Sequence, residues 1–284
     1  MAIDGILQRD VLMRRIRTFF HERGFTEVET PVRVEAPCME LNIDAEPSGE
    51  HFLRTSPELF HKRLLAAGHS SIFEIGKCFR RGETGPLHHP EYTMLEWYRA
   101  NADYMDILAD TQALVQTVAE GQDLVSGDWK ILPVSEAFLE FAGWDPAGNH
   151  DEDRFDIDLV EKVEPAIEKI GGPVVLIDYP VEAAALSRRK PGHPLVAERW
   201  ELYIDGIELA NAYSELTDPA EQRRRFEECA ARRKAMGKTA YPIDEAFIQS
   251  LENMPPSGGV ALGIDRLLML LMGADSLDAV LPFR

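Results

Sequence analysis

The chain has 284 residues, 45% of them hydrophobic and 28% charged, which is typical of a globular protein with a large buried core. No apolar run approaches the ~20 residues of a membrane-spanning helix, and the opening residues MAIDGILQRD lack the features of a signal peptide. The net charge of −19 disfavours a nucleic-acid partner, because an acidic chain repels a polyanion. The 3 cysteines are widely separated and fit reduced thiols, so we expect a cytoplasmic protein with no membrane contact.

A helix and a short strand are predicted first. Residues 8–23 place apolar side chains at helical spacing and stop before Gly24, which suits a helix C-terminus. Residues 25–28 then alternate as a strand ahead of Pro31. From these residues alone, we interpret the segment as an amphipathic helix that packs on a sheet.

A second helix is predicted to begin at Pro57, just after Ser56. Proline suits the first helical position because its φ is already close to the helical value. Glu58 then lies in the first turn, where its negative charge complements the helix macrodipole.

Residues 73–104 hold a dense cluster of polar and aromatic side chains. Their pattern predicts two antiparallel strands joined by a long loop that contains glycine and proline. The loop carries side chains suited to phosphate oxygens, namely Arg80, Arg81, His88 and His89. The ring of Tyr92 can stack on a flat heterocycle, and Glu96 and Tyr98 share one face of the returning strand. The hairpin therefore predicts a phosphate site and an acidic pocket, and the alternative is a surface hairpin with chance basic residues.

The middle of the chain is less informative. Residues 104–118 predict a helix, and residues 121–192 combine an acidic helical pattern with a short buried strand, PVVLIDYP. Repeats and low-complexity linkers are missing from the sequence. We therefore expect a single domain, residues 1–284, with a variable insertion at roughly 121–192.

Residues 200–216, WELYIDGIELANAYSEL, predict a second hairpin with its turn at residues 205–206. Strand pairing can bring Glu201 and Glu208 toward one ligand, and carboxylates together with phosphate oxygens suit Mg²⁺. Glu215 can join Glu96 in a doubly acidic pocket, which needs a cation such as an ammonium group. The alternative is a set of solvated carboxylates on an edge hairpin.

Two further segments complete the chain. Asp218 and Pro219 predict the start of a helix that carries the main basic concentration, which we interpret as a solvated face rather than a docking site. Its basic residues are Arg223, Arg224, Arg225, Arg232, Arg233 and Lys234. Residues 257–282 begin with small residues and continue as an apolar helix with Arg266 in its first turn, a position that favours phosphate.

In this order the motifs resemble the three motifs of class II aminoacyl-tRNA synthetases, at residues 8–31, 73–104 and 257–282. The run HHPEYTMLEWY is similar to the lysyl-tRNA synthetase branch, and its Glu-Trp-Tyr ending is similar to the short relatives in that branch that attach β-lysine to elongation factor P. The resemblance implies an α+β fold, with an antiparallel sheet flanked by helices, and a homodimer formed through the first motif. It implies a chain without the anticodon-binding barrel, so tRNA is disfavoured as a partner.

The same resemblance implies activation of lysine or β-lysine with ATP and Mg²⁺. Arg80 and Arg266 would be the catalytic residues, and Glu201 and Glu208 would hold the metal. The implied ATP site consists of Arg80, Arg81, Gly82, Glu83, His88, His89, Tyr92, Glu208, Leu209, Gly263 and Arg266. The implied amino-acid site consists of Ser56, Pro57, Glu58, Glu96, Tyr98, Asn211, Glu215 and Ala261.

Three positions distinguish this chain within the resemblance. Ala261 stands where lysyl-tRNA synthetases have glycine, and its methyl group would narrow the amino-acid pocket in favour of a β-amino acid. Gly82 stands where the family has glutamate, and His89 where it has asparagine. Two alternatives stay open, a truncated lysyl-tRNA synthetase and a non-catalytic regulatory module with the same fold.

Overall fold

The computed structural model describes residues 3–121, 123–125 and 127–283. Its helices are α1 (Ile3–Glu22), α2 (Glu58–Ala66), α3 (Tyr104–Val118), α4 (Val134–Phe141), α5 (Glu152–Asp158), α6 (Glu164–Ile170), α7 (Pro219–Ala235), α8 (Glu245–Ser250) and α9 (Ile264–Leu271). Its strands are β1 (Thr26–Glu27), β2 (Arg33–Val34), β3 (Pro47–Ser48), β4 (His51–Leu53), β5 (Ser71–Phe79), β6 (Glu91–Ala100), β7 (Lys130–Pro133), β8 (Pro173–Pro180), β9 (Arg189–Lys190), β10 (His193–Ile204), β11 (Ile207–Ser214) and β12 (Ser257–Gly263). The expected α+β class, with a sheet flanked by helices, is confirmed. The sheet was expected to be antiparallel, but β1 pairs with β5, and β7 with β8, in parallel.

The chain divides into two units. The first consists of Met1–Asn101, Thr217–Ser257 and Gly263–Arg284, and the second of Ala102–Leu216 and Gly258–Leu262. Among the helices that the structure describes, none combines the length and apolar character needed to cross a bilayer.

The long hairpin of β5 and β6 is central to the first unit. Its antiparallel pairing confirms the prediction for residues 73–104, and β1 adds a parallel neighbour on the other side of β5. The ring of Phe20 on α1 stacks on Phe73 of β5, with ring centroids 4.7 Å apart. Burial of such a side chain contributes about 1.5–3 kcal/mol. This contact confirms that α1 packs on a sheet.

Two helix boundaries differ slightly from the prediction. α1 begins at Ile3, whereas the sequence pattern predicted a start at Gln8. The pattern missed the first residues because the side chains of Ile6 and Leu7 are exposed and do not continue the buried apolar stripe. α2 begins at Glu58 with Pro57 as its N-cap, and the Oγ atom of Ser56 accepts a hydrogen bond from the backbone N of Glu58 at 3.0 Å.

The basic helix α7 is only partly the solvated face that its sequence predicts. Arg224 is exposed and pairs with Glu228 at 2.7 Å, as expected of an i,i+4 pair. Arg233 is completely buried, so the prediction is wrong at this position. Its guanidinium donates hydrogen bonds to the backbone carbonyls of Glu40 and Ile43, at 2.6 and 2.9 Å, which satisfies polar groups of a loop far away in sequence.

The second unit is built on strands in the order β12-β11-β10-β8-β7, with β9 beside β10. Asp205 and Gly206 both have positive φ, 49° and 78°, which confirms the predicted tight turn between β10 and β11. The segment that looked least informative supplies β8, α4, α5 and α6. Their apolar core includes stacked rings of Phe138 and Phe155, 4.7 Å apart, and a fully buried Val174.

Candidate active site

The returning strand β6 carries a buried carboxylate, Glu96, which has no exposed surface. The Oγ atom of Ser56 donates a hydrogen bond to Oε1 of Glu96 at 2.6 Å, and the hydroxyl of Tyr98 donates to Oε2 at 2.9 Å. Three residues that the sequence predicts for the amino-acid site therefore lie together. Hydroxyl donors of this kind hold a carboxylate in one orientation, in which it can accept from an ammonium group.

Glu58, also predicted for the amino-acid site, already has a cationic partner in the chain. Its Oε1 atom accepts a hydrogen bond from Nζ of Lys62, one turn later on α2, at 2.7 Å, and both residues are buried. A buried pair of this kind is well compensated in charge. A substrate amine at Glu58 would therefore share this carboxylate with Lys62.

Glu96 has a second carboxylate directly opposite, because the hairpin register pairs it with Glu74. Nη2 of Arg54 lies 2.7 Å from Oε1 of Glu74, and Nε2 of His61 lies 2.9 Å from Oε2. Burial by itself raises the pKa of Glu74, but the hydrogen bond and charge of His61, together with Arg54 and Thr30, outweigh it and lower that pKa. Glu74 is thus an ionised carboxylate that is held by cationic side chains of the protein itself.

The sequence prediction missed His61, which is fully buried on α2. Its Nδ1 atom lies 3.6 Å from Oε2 of Glu96, so the ring stands between the two carboxylates. Burial lowers the pKa of His61, but the hydrogen bond to Glu74 and the negative charges of Glu96 and Glu74 outweigh it and raise the pKa above its usual value. The hairpin register itself is the signal that could have found His61, because paired glutamates need a nearby cation.

The loop after β5 places Arg80 over the ring of Tyr92, with the guanidinium carbon 5.2 Å from the ring centroid. Nη1 of Arg80 also lies 3.6 Å from Oε2 of Glu83. The hydroxyl of Tyr92 donates to the carbonyl of Thr55 at 2.7 Å, and burial raises its pKa, so it remains a donor. Three residues predicted for the ATP site therefore lie together, because Arg80 contacts both Tyr92 and Glu83.

The backbone conformation at position 82 suits the glycine found there better than the glutamate of the family pattern. Its φ is +79°, in the left-handed region that favours glycine over glutamate. The next residue, Glu83, carries a carboxylate that lies 3.6 Å from Arg80. The neighbouring Arg81 is exposed, and its backbone N donates to the carbonyl of Asp44 at 2.7 Å, which anchors the loop.

Arg266 lies in the first turn of α9, as predicted, and Gly263 is the N-cap of that helix. Its Nη2 atom is 2.7 Å from Nε2 of His88, and its Nε donates to the carbonyl of Leu87. His89 faces its own turn instead, with Nδ1 2.7 Å from the carbonyl of Glu91. Arg266 and His88 thus form one basic pair suited to phosphate oxygens.

In the second unit, Glu201, Asn211 and Ala261 occupy one row across β10, β11 and β12, because the register pairs Glu201 with Asn211 and Asn211 with Ala261. Directly paired residues point to the same face of a sheet. Arg199 lies on this face too, and its Nε donates to Oδ1 of Asn211 at 3.2 Å. Asn211 and Ala261, which are both predicted to contact the substrate, are therefore neighbours.

Glu201 is held by three donors. Oε2 accepts from the hydroxyls of Tyr179 and Tyr203, at 2.5 and 2.7 Å, and Oε1 accepts from Arg199 at 2.5 Å. Burial raises the pKa of both tyrosines, so they stay protonated donors. The register pairs Glu208 with Tyr203, which puts it on the same face as Glu201. Its neighbour Leu209 is buried.

Glu201 and Glu208 are the two carboxylates predicted to hold Mg²⁺. Among the described residues no group of three or more His, Cys, Asp or Glu side chains is arranged to hold a metal ion. Mg²⁺ is commonly held by one or two carboxylates together with substrate phosphates and water, which two glutamates of this face can supply. Glu201 would have to exchange one of its present donors for the metal. The metal assignment of Glu201 and Glu208 stays a prediction.

Glu215 follows β11 and is almost completely buried. Its backbone forms an antiparallel bridge with Ser187, and the next residue, Leu216, donates its N–H to the carbonyl of Leu186 at 3.0 Å. The position is thus rigid, and a buried carboxylate there is suited to an ammonium group.

Comparison with known proteins is consistent with this geometry. Residues 4–284 match the family of class II tRNA synthetases (D, K and N). The chain is 39% identical to the elongation factor P–(R)-beta-lysine ligase of Vibrio cholerae and 36% identical to that of Hamiltonella defensa, in each case over 99% of this chain and 95% of the relative. It is also 38% identical to the lysine–tRNA ligase of Magnetococcus marinus, over 97% of this chain and 62% of that relative.

Proposed function

The chain belongs to the class II tRNA synthetases (D, K and N), and from this premise we propose that it activates lysine or (R)-β-lysine with ATP and attaches it to a lysine of elongation factor P. It is an ATP-dependent ligase of the synthetase type. One observation carries the choice of substrate, namely the buried carboxylate of Glu96 held by Ser56 and Tyr98. Such a carboxylate recognises the side-chain ammonium of a lysine-type substrate.

The reaction proceeds in two steps. A carboxylate oxygen of the amino acid attacks the α-phosphorus of ATP, the bond to the β-phosphate oxygen breaks, and pyrophosphate leaves. The unprotonated amine of the acceptor lysine then attacks the carbonyl carbon of the adenylate, loses a proton to solvent and expels AMP. No side chain acts as a nucleophile, because positioning and charge stabilisation carry the transfer.

Residues of the first unit bind ATP in this proposal. Arg80 holds the α-phosphate, and Tyr92 stacks on adenine beside it. Arg266 and His88 hold the γ-phosphate, since they already form a basic pair. In the second unit, Glu208 and Glu201 would hold Mg²⁺, which neutralises phosphate charge when bound.

Three further amino-acid contacts are proposed from the sequence motifs. Asn211 would bind the amine or carboxylate of the substrate, and Glu215 would read the side-chain ammonium. Ala261, the register partner of Asn211, narrows the space beside it. The added methyl group supports β-lysine over α-lysine.

A homodimer and a cytoplasmic location are further parts of the proposal. The exposed apolar side chains of Ile6, Leu7 and Val11 on α1 support a dimer through the first motif. The acidic net charge of −19 supports a protein acceptor over tRNA. Sedimentation equilibrium tests the dimer, and a monomer at micromolar concentration would contradict it.

The test of function is ATP–pyrophosphate exchange with α-lysine and (R)-β-lysine in parallel, followed by transfer of the labelled acid to elongation factor P or to tRNA. We expect faster exchange with (R)-β-lysine and label on the protein. Label on tRNA alone would favour a lysine–tRNA ligase, which the 38% identity to such an enzyme makes the second candidate. Nucleotide binding without any exchange would indicate a regulatory module.

A further inference from the structure

Two glutamates face each other in the β5–β6 hairpin, and both are buried. Glu74 and Glu96 are directly paired in the register and are at most 3% exposed. Like charges at paired positions repel each other, and burial makes each charge more costly. The hairpin therefore needs positive charge on this face to compensate the two carboxylates.

Arg54 compensates Glu74 in a fixed position. Its guanidinium pairs with Glu74 and also donates to the carbonyls of Lys77 and Thr30, at 3.0 and 3.2 Å. A Cβ atom at Gly76 would overlap this guanidinium, so the glycine makes room for it. Arg54 is thus committed to Glu74, and Glu96 depends on another group.

His61 is placed to supply the second positive charge. It reaches Glu74 with one ring nitrogen and faces Glu96 with the other, at 2.9 and 3.6 Å. The other charged groups on α2 are the buried pair Glu58 and Lys62, which compensate each other, and the partly exposed Arg63, whose Nη1 lies 3.5 Å from Oδ2 of Asp244.

On β6, which packs against α2, Arg99 is three residues beyond Glu96 and so lies on the opposite face of the strand. The described groups of β6 and α8 that face His61 add no further cation. The ring of Tyr98 on β6 lies 5.1 Å from the His61 ring, and its hydroxyl is committed to Glu96. Glu245 on α8 is exposed and pairs with Arg223, and Glu252 in the turn after α8 is exposed. Cys38 and Cys78 are buried thiols, and burial raises the pKa of both, that of Cys78 to about 12, so they stay neutral.

We propose that His61 is a positioning residue that keeps Glu96 ionised, by holding the proton that Glu96 would otherwise take up in its buried place opposite Glu74. This inference rests on the proposed function, in which Glu96 binds the side-chain ammonium of the substrate. With His61 protonated, two carboxylates face two cations and both stay ionised. Without His61, Glu96 takes up that proton and accepts the ammonium poorly.

The first measurement uses the unaltered protein, so that it does not depend on the folding of a variant. Histidine labelled with ¹⁵N reports the charge of each ring by NMR as pH is varied. We expect the ring of His61 to be protonated at pH 7, and the ring of the exposed His69 provides an internal reference signal. A neutral His61 at pH 7 would overturn the inference.

The second measurement compares His61→Gln with the matched control His69→Gln. At pH 7 we expect kcat/KM for the lysine-type substrate in pyrophosphate exchange to fall about 10- to 100-fold in His61→Gln, the usual loss when the support of a binding residue is removed. The loss should lie mainly in KM and should recover as pH rises, because Glu96 then loses its proton. His69→Gln should match the wild type.

An infrared difference spectrum separates this role from a merely structural one. His61→Gln should show the carbonyl band of a protonated carboxyl group, and that band should vanish in the double variant with Glu96→Gln. A His61→Gln protein with wild-type KM, a flat pH profile and no such band would refute the role of His61. If the wild type shows no lysine-dependent exchange, the proposed function fails, and the NMR and infrared results still decide the charge of Glu96.

Discussion

Asp265, in the first turn of α9, accepts a hydrogen bond from the backbone N of Thr93 on β6 at 2.8 Å. Its other oxygen pairs with Arg9 of α1. The helix that carries Arg266 is therefore tied to the hairpin strand and to the first helix. This arrangement explains how a residue near the end of the chain is held beside a loop nearly 180 positions earlier, since Arg266 and His88 are separated by 178 residues.

Asp265→Asn should loosen this connection. We expect a loss of about 1–3 kcal/mol in the free energy of unfolding, because a buried charged hydrogen bond is removed. Urea denaturation measures the effect. Asp10→Asn, an exposed pair with Arg14, is the control and should stay within about 0.5 kcal/mol of the wild type. Equal losses in the two variants would contradict the anchoring role.

Arg80→Ala should slow adenylate formation on the order of 10²–10³-fold, as for other preorganised charge donors. The guanidinium is expected to stabilise negative charge at the α-phosphate. Pyrophosphate exchange gives the rate, and Arg224→Ala, exposed on α7, serves as the control. An Arg80→Ala rate near that of the wild type would refute the assignment.

Ala261→Gly should shift selectivity toward α-lysine. Removal of the methyl group beside Asn211 opens space for an α-substituent, and one methyl group changes discrimination by roughly 10- to 200-fold. The ratio of kcat/KM for (R)-β-lysine and α-lysine measures the effect. Ala210→Gly, one residue before Asn211 on β11, is the control and should leave the ratio unchanged. An unaltered ratio in Ala261→Gly would remove the steric explanation.

Glu74→Gln should destabilise the protein in a pH-dependent way. The pKa of Glu74 is lowered in the folded state, so its contribution is fully present above the usual value of 4.5 and is lost as pH falls through the lowered folded pKa. The difference in unfolding free energy between wild type and variant should therefore be constant at neutral pH and shrink in acid. Urea denaturation from neutral to acidic pH tests this, and a difference that grows in acid would contradict the charge assignment.

Arg233→Met should be costly although the residue belongs to a basic, surface-like sequence. The substitution leaves the carbonyls of Glu40 and Ile43 without their donor, and we expect a loss of about 3 kcal/mol, near the upper range for a single substitution. Arg232→Met, the exposed neighbour, is the control. Thermal unfolding of both variants gives the comparison, and similar melting temperatures would show that the buried contacts matter little.

The sequence by itself determined those elements whose signals are local. Strand alternation predicted the β5–β6 hairpin and placed Glu96 with Tyr98, and turn chemistry predicted the bend at Asp205 and Gly206. The capping signal at Asp218 likewise marked the start of α7, where its side chain accepts from two backbone N–H groups. These features depend on residues close together in sequence, so a local pattern is sufficient to predict them.

Only the tertiary structure decided which partners the charged side chains have. The sequence predicts Glu201 as a metal ligand, but in the structure Tyr179 and Arg199 donate hydrogen bonds to it. The sequence predicts Arg233 as solvated, but in the structure it is buried and donates to a loop that is distant in sequence. His61 could be found only through the hairpin register, which pairs Glu74 with Glu96 and so requires a cation nearby. The physical reason is that a buried charge is stabilised by whichever donors surround it in space, and these come from elements far apart in the chain.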